Sequence, residues 1–188
     1  ECHFRPGEPR RLRRMDVVAG IPSAGRAHQD TALTLHALEI GRGSKTQEFD
    51  ETVLLDLERQ KPLAEALVKL SRQGAPNSRL FTATASDVMT GLRWAEQVLG
   101  LEVLGPLHGY QLRHTGASHD WLNRSRDLAG VQRRGRWRDP RSVRRYEKGG
   151  RVTQQLARLP AKMQAHAARC AAVIGDVVRG RRSALPVP

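Results

Sequence analysis

Residues 31–55 are written in a different period from the rest of the chain. The runs TALTLHALEI and KTQEFDETVLLD, separated by the turn GRGS, alternate apolar and polar residues. That two-residue period marks strands with one buried face, and the short turn between them predicts a small antiparallel sheet. Lys45 falls just after the turn, at the hairpin tip or the start of the returning strand. Beyond the sheet the spacing becomes helical. Leu63, Ala66, Leu67 and Leu70 share one face of PLAEALVKLSRQ, which Gly74-Ala75-Pro76-Asn77 ends. A second helix is expected in DVMTGLRWAEQVLG, capped by Ser86 or Asp87 and stopped at Gly100. Further helices are expected at about 109–122, 126–134 and 140–147, the last with Asp139 as N-cap and Pro140 at its first position. Residues 152–178 are helical with a break at Pro160, and the tail SALPVP is loose. Ahead of the sheet, Glu8 starts a short amphipathic helix with Leu12 and Met15 inward and Arg10, Arg11, Arg13 and Arg14 outward; residues 20–30 form a polar loop. The fold class is therefore α+β, mainly α-helical, with one small antiparallel sheet.

Charge narrows the partner. The 188 residues suffice for one domain with a core, and they carry a formal net charge of +13. A surface that basic attracts polyanions, above all nucleic acid. Most of the 32 basic residues are Arg, whose planar fork grips phosphate through paired hydrogen bonds. With 4% aromatics there are few platforms for stacking single-stranded bases, which favours double-stranded DNA over RNA. No apolar run is long enough to span a bilayer and none reads as a signal peptide, so no membrane partner is expected. Cys2 and Cys170 sit at opposite ends, without metal-ligand spacing; neither zinc nor another cofactor is expected, and a reducing intracellular compartment, with the DNA of a nucleus or nucleoid, fits.

The basic residues concentrate around one block, His108 to Tyr146. From Arg124 to Arg151 the chain carries eleven Lys or Arg against three acids, Asp127, Asp139 and Glu147. Arg124, Arg126, Arg133, Arg134, Arg136, Arg138, Arg141, Arg144 and Arg145 are the candidate contacts of a stripe that binds the DNA backbone. Within the block, Arg113 opens a helical segment, Trp137 lies further along, and Tyr146 comes nine residues later.

Arginine, tryptophan and tyrosine in that order and spacing resemble the active-site block of the tyrosine recombinases, the phage-integrase family. The resemblance extends upstream. Phe4-Arg5-Pro6-Gly7-Glu8, with Leu12 and Asp16-Val17 after it, is similar to the family's first-arginine motif, and Lys45-Thr46 matches its hairpin lysine. Type IB topoisomerases share the chemistry but match the Arg-Pro-Gly-Glu turn less closely. The resemblance implies a catalytic domain over residues 1–150, a C-terminal helical extension and tail over 151–188, and no metal or cofactor. It implies DNA cleavage and rejoining through a 3′-phosphotyrosyl link, by a tetramer acting on two duplexes. The helical stretch 152–178 then either docks on a neighbouring subunit or closes its own core. The chain begins at Glu1, which reads as a fragment without the family's N-terminal DNA-binding domain.

The resemblance implies a role for each matched residue. Arg5 and Arg113 clamp the nonbridging oxygens of the attacked phosphate, where two guanidiniums meet developing charge with fixed donors. Tyr146 is the nucleophile, its phenol aided by Arg144, Arg145 and the clamp. Lys45 is the general acid for the leaving 5′-oxygen. Trp137 donates its indole N–H to the phosphate, packs the core, or does both. Glu8 either orients a catalytic cation or is a first-turn helix acid. One position departs from the family: Tyr110 stands where His begins the His-x-x-Arg motif. Tyrosine is a poor base at neutral pH, so His108 is the nearest substitute on the sequence, and His114 reads as structural. The alternative is a catalytically decayed mobile-element domain that binds DNA without sequence specificity.

Overall fold

The computed structural model describes residues 2–35, 51–147 and 149–188. The turn at 41–44, Lys45 and Lys148 lie outside the described residues. The chain forms two compact units, one from residues 7–83 with 178–181, the other from residues 1–6, 84–177 and 182–188.

The first unit holds the sheet. Strands β1 (Val17–Val18), β2 (Thr31–Leu35) and β3 (Glu51–Leu55) lie in that order, both pairings antiparallel. The register sets Leu33 against Val17 on one side and Val53 on the other. Alternation then does what the sequence requires: Leu33, Leu35, Val53 and Leu55 are buried, while Thr52 and Leu54 face outward. Helix α1 (Lys61–Ser71) adds Ala64 and Leu67 to this core, and Leu12 and Leu80 complete it.

The segment after Glu8 is not the single helix expected. It forms two 3-10 turns, Pro9–Arg11 and Arg14–Asp16, with Leu12 extended between them. The break rotates Met15 to the surface, 42% exposed, and leaves Leu12 as the buried anchor. Arg14 turns back instead of outward, its guanidinium donating to Ser78 Oγ at 2.9 Å and to the Leu70 carbonyl.

The second unit is helical: α2 (Ala85–Val98), α3 (Gly109–Leu122), α4 (Leu128–Gly135), α5 (Gly149–Ala157) and α6 (Ala161–Val178). Thr84, not Ser86 or Asp87, caps α2. The Asp87 amide donates to the Thr84 hydroxyl and the Thr84 amide donates back to the Asp87 carboxylate. Pro160 separates α5 from α6. Residues 140–147 are two 3-10 turns, Pro140–Ser142 and Arg144–Glu147, not a helix. Their only buried side chains are Val143 and Tyr146. A spacing of three matches the three-residue turn of a 3-10 helix better than the 3.6 of an α-helix. Among the described residues no helix is long and apolar enough to cross a membrane.

Candidate active site

Helix α3 carries the centre of the second unit. Its start is set by His108, whose amide donates to Gln111 Oε1 at 2.8 Å. The buried stripe of α3 is Arg113, Gly116, Ala117 and Asp120, a helical i, i+3, i+4, i+7 face with a charge at each end and small residues between. Such a stripe gives no hydropathy signal, yet it packs. Ala117, Val131 of α4, Val143 and Tyr146 form one apolar cluster, with Trp121 and Trp137 laid against it.

Arg113 is held from several directions. It donates to the His3 carbonyl at 2.6 Å and to the Gly135 carbonyl, and its Cζ lies 4.4 Å from the centre of the Trp137 ring. Two backbone acceptors and an aromatic face fix the plane of the guanidinium. Gly135 closes α4, and Arg136 caps it with φ of 53°, a left-handed conformation that turns the chain toward Trp137. A side chain at Gly135 would overlap the Trp137 ring. Gln132 then pins Trp137, donating to its carbonyl at 2.9 Å and accepting its amide at 3.2 Å through the main chain.

The amino-terminal strand joins the same group. His3 is 1% exposed and places Nε2 at 3.2 Å from Asp120 Oδ2, while Arg126 Nε lies 3.3 Å from the same oxygen. Burial holds the His3 imidazole below its ordinary pKa despite the carboxylate. Pro6 packs against Gly109 at the other end of α3. Arg5, half-buried, lies between these two residues that touch α3. Glu8 is buried as the N-cap of Pro9–Arg11 in the sheet-bearing unit.

Tyr146 sits on the turn Arg144–Glu147, its ring 5.4 Å from that of Trp137 and only 5% exposed. Its hydroxyl meets His114 Nδ1 at 2.5 Å. Burial pushes the phenol up to about 12, and the opposing charges of Arg145 and Arg113 do not reverse this. The expectation that arginines alone activate the phenol therefore fails on magnitude: desolvation outweighs them. His114 is held below the ordinary histidine value by burial first and then by Arg145, Arg113 and His108.

Arg113, Trp137, Tyr146 and His114 thus come together, with Tyr110 edge-on to His114 at 4.7 Å and 44% exposed. Lys45 lies outside the described residues. His108 is exposed at the helix start. Of the arginine stripe, Arg124, Arg133, Arg138, Arg141, Arg144 and Arg145 are exposed, whereas Arg136 is half-buried, Arg126 is drawn to Asp120, and Arg134 is turned into the interior. Sequence reasoning does not single out His114, His3 or Asp120 as site residues. The Arg-His pair at 113–114 is the available signal for His114; nothing local announces His3 or Asp120.

No protein-family model matches the chain, and no curated protein or solved structure does either.

Proposed function

We propose that this chain is the catalytic domain of a tyrosine recombinase, which cuts and rejoins duplex DNA strands through a phosphotyrosyl intermediate at Tyr146. The observation that carries the reading is the cluster itself. The motif residues Arg113, Trp137 and Tyr146, far apart in sequence, lie with the guanidinium 4.4 Å over the Trp137 ring and that ring 5.4 Å from the tyrosine. A guanidinium whose plane is fixed in advance suits an oxyanion that gains charge in the transition state, because no reorganisation is needed at that moment. A tyrosyl phosphodiester keeps the energy of the broken bond, so rejoining needs no nucleotide cofactor. The exposed arginines 133, 138, 141, 144 and 145 flank the tyrosine turn in sequence and supply charge for the DNA backbone. Arg113 and Tyr146 are both covered in the free protein, so attack on phosphorus requires the four-residue turn of Tyr146 to shift toward DNA.

One observation favours a second reading, a DNA-binding domain that has lost catalysis. Tyr146 is a member of the apolar cluster, which is where a purely structural tyrosine belongs. Covalent trapping separates the two. Incubated with a random-sequence pool of nicked suicide duplexes, the protein should yield a denaturation-resistant adduct that Tyr146→Phe abolishes while duplex binding persists. Binding without any adduct from the wild-type chain selects the second reading.

A further inference from the structure

From the contact between the two side chains we infer that His114 is the general base that takes the phenolic proton of Tyr146, filling the role left open by Tyr110 at the head of the Tyr-Gln-Leu-Arg motif. The inference rests on the recombinase reading and adds a catalytic residue to it. Three observations carry it. His114 Nδ1 lies 2.5 Å from the Tyr146 hydroxyl, so no movement is needed to receive the proton. The two residues come from different elements, α3 and the turn Arg144–Glu147, so the contact is made by the fold and not by local sequence. Tyr110, one helical turn before His114, stands edge-on to the imidazole, where it buttresses the ring and offers no proton acceptor at neutral pH.

The surroundings suit a base. The groups facing His114 are Tyr146 and Arg145 on the turn, Arg113 and Tyr110 on its own helix, and His108 at that helix's start. The cations and burial keep the imidazole neutral at pH 7, able to accept. Burial also keeps the phenol protonated, so a nearby acceptor is what it lacks. In the step itself, the Tyr146 proton passes to His114 Nδ1 as the bond from the phenol oxygen to phosphorus forms. The bond from phosphorus to the 5′-oxygen breaks, and that oxygen leaves as a hydroxyl with a proton from a general acid, the role the family resemblance gives to Lys45. On rejoining, the 5′-hydroxyl attacks the phosphotyrosine and His114 returns its proton to Tyr146.

The test is the rate of adduct formation on the same nicked duplex pool. His114→Asn retains an acceptor near the Nδ1 position but cannot take the proton. It should slow adduct formation roughly a hundredfold or more with duplex affinity and melting temperature unchanged. The wild-type rate should rise with pH through one ionisation below about 6.5, the ordinary histidine value, and His114→Asn should lose that limb. A sulfur in place of the leaving 5′-oxygen, which needs no proton to depart, should not rescue His114→Asn. Nitrogen resonances of the wild-type imidazole supply a check independent of any His114 variant: Nδ1 should be the unprotonated nitrogen at pH 7 and should shift in Tyr146→Phe. A His114→Asn protein as fast as wild type with the same pH profile, or a protonated Nδ1, overturns the inference and leaves the recombinase reading standing. Rescue by the sulfur leaving group would make His114 the acid instead of the base. A wild-type chain that never forms the adduct overturns both.

Discussion

Arg113 donates to the carbonyl of Gly135, the residue whose missing side chain makes room for Trp137. One hydrogen bond therefore ties the α3 arginine to the turn that presents the tryptophan, and the Trp137 ring in turn covers both the guanidinium and Tyr146. The Arg-Gly-Arg-Trp run at 134–137 is a packing instruction: a bare α-carbon, a left-handed cap at Arg136, then the ring.

Gly135→Ala should be costly for that reason. The new methyl would enter the Trp137 ring, and the surrounding core has little slack. Chemical denaturation should show a loss of about 2 kcal/mol, with Trp137 fluorescence shifted to the red. Gly91→Ala on α2 is the control, because a methyl there meets nothing and helix propensity favours alanine by about 0.5–1 kcal/mol. Equal effects at the two sites would remove the steric account.

Asp120→Ala should destabilise by about 3 kcal/mol, since it strips the carboxylate from a buried group that includes His3 and Arg126. Asp120→Asn, which keeps the shape, should cost less. Because the His3 carbonyl also holds Arg113, the alanine variant should lower thermal stability and loosen the amino-terminal strand together, which amide exchange at residues 3–6 would report. Protection unchanged in those residues would separate His3 from Asp120.

Much of this scaffold is legible in the chain, and the departures share a cause. Period-two alternation predicts β2 and β3, and Asp139-Pro140 predicts a helical start, because each depends on neighbours in sequence. The 140–147 element departs from the expected helix because Val143 and Tyr146, spaced by three, satisfy two helix types at once. Arg126 and Arg134 read as surface charge because composition says nothing about direction; Asp120 draws the first inward. The contact of His114 with Tyr146 joins residues far apart in the chain, so only the fold could supply it.

Salt dependence tests the exposed part of the stripe. Duplex affinity should fall steeply with salt and vary little with sequence. Replacing Arg133, Arg138, Arg141 and Arg144 with alanine should reduce the slope of log affinity against log salt by about 3. Arg134→Ala should instead lower stability and leave the slope alone, because Arg134 is buried. An unchanged slope in the quadruple variant would make these arginines a solvated face.

Alkaline titration tests the burial of Tyr146. The fold favours the neutral phenol, raising it from about 10 in a free chain to about 12. Its contribution to stability is therefore complete below pH 10 and is lost as pH climbs through 12. The phenolate absorbance missing from Tyr146→Phe should appear only near pH 12 or with unfolding. Ionisation of that group at or below pH 10 would mean the phenol is not desolvated, and the need for a base would weaken with it.

Tyr110 offers the sharpest contrast between the two histidine positions of the motif. If Tyr110 itself limited proton transfer, Tyr110→His would restore the family's usual base and raise adduct formation roughly a hundredfold. With His114 already at 2.5 Å from the attacking hydroxyl, that gain is not available. Tyr110→His should change the rate only a few-fold. Tyr110→Phe should do no more, because the edge contact with the imidazole survives and the exposed hydroxyl is the only group removed. Tyr110→Ala should be slower than both, since it withdraws the ring that buttresses His114, and its deficit should vanish in a His114→Asn background where there is no base left to position. A large acceleration by Tyr110→His would return the base to the head of the motif and leave His114 as the group that merely holds Tyr146 in place.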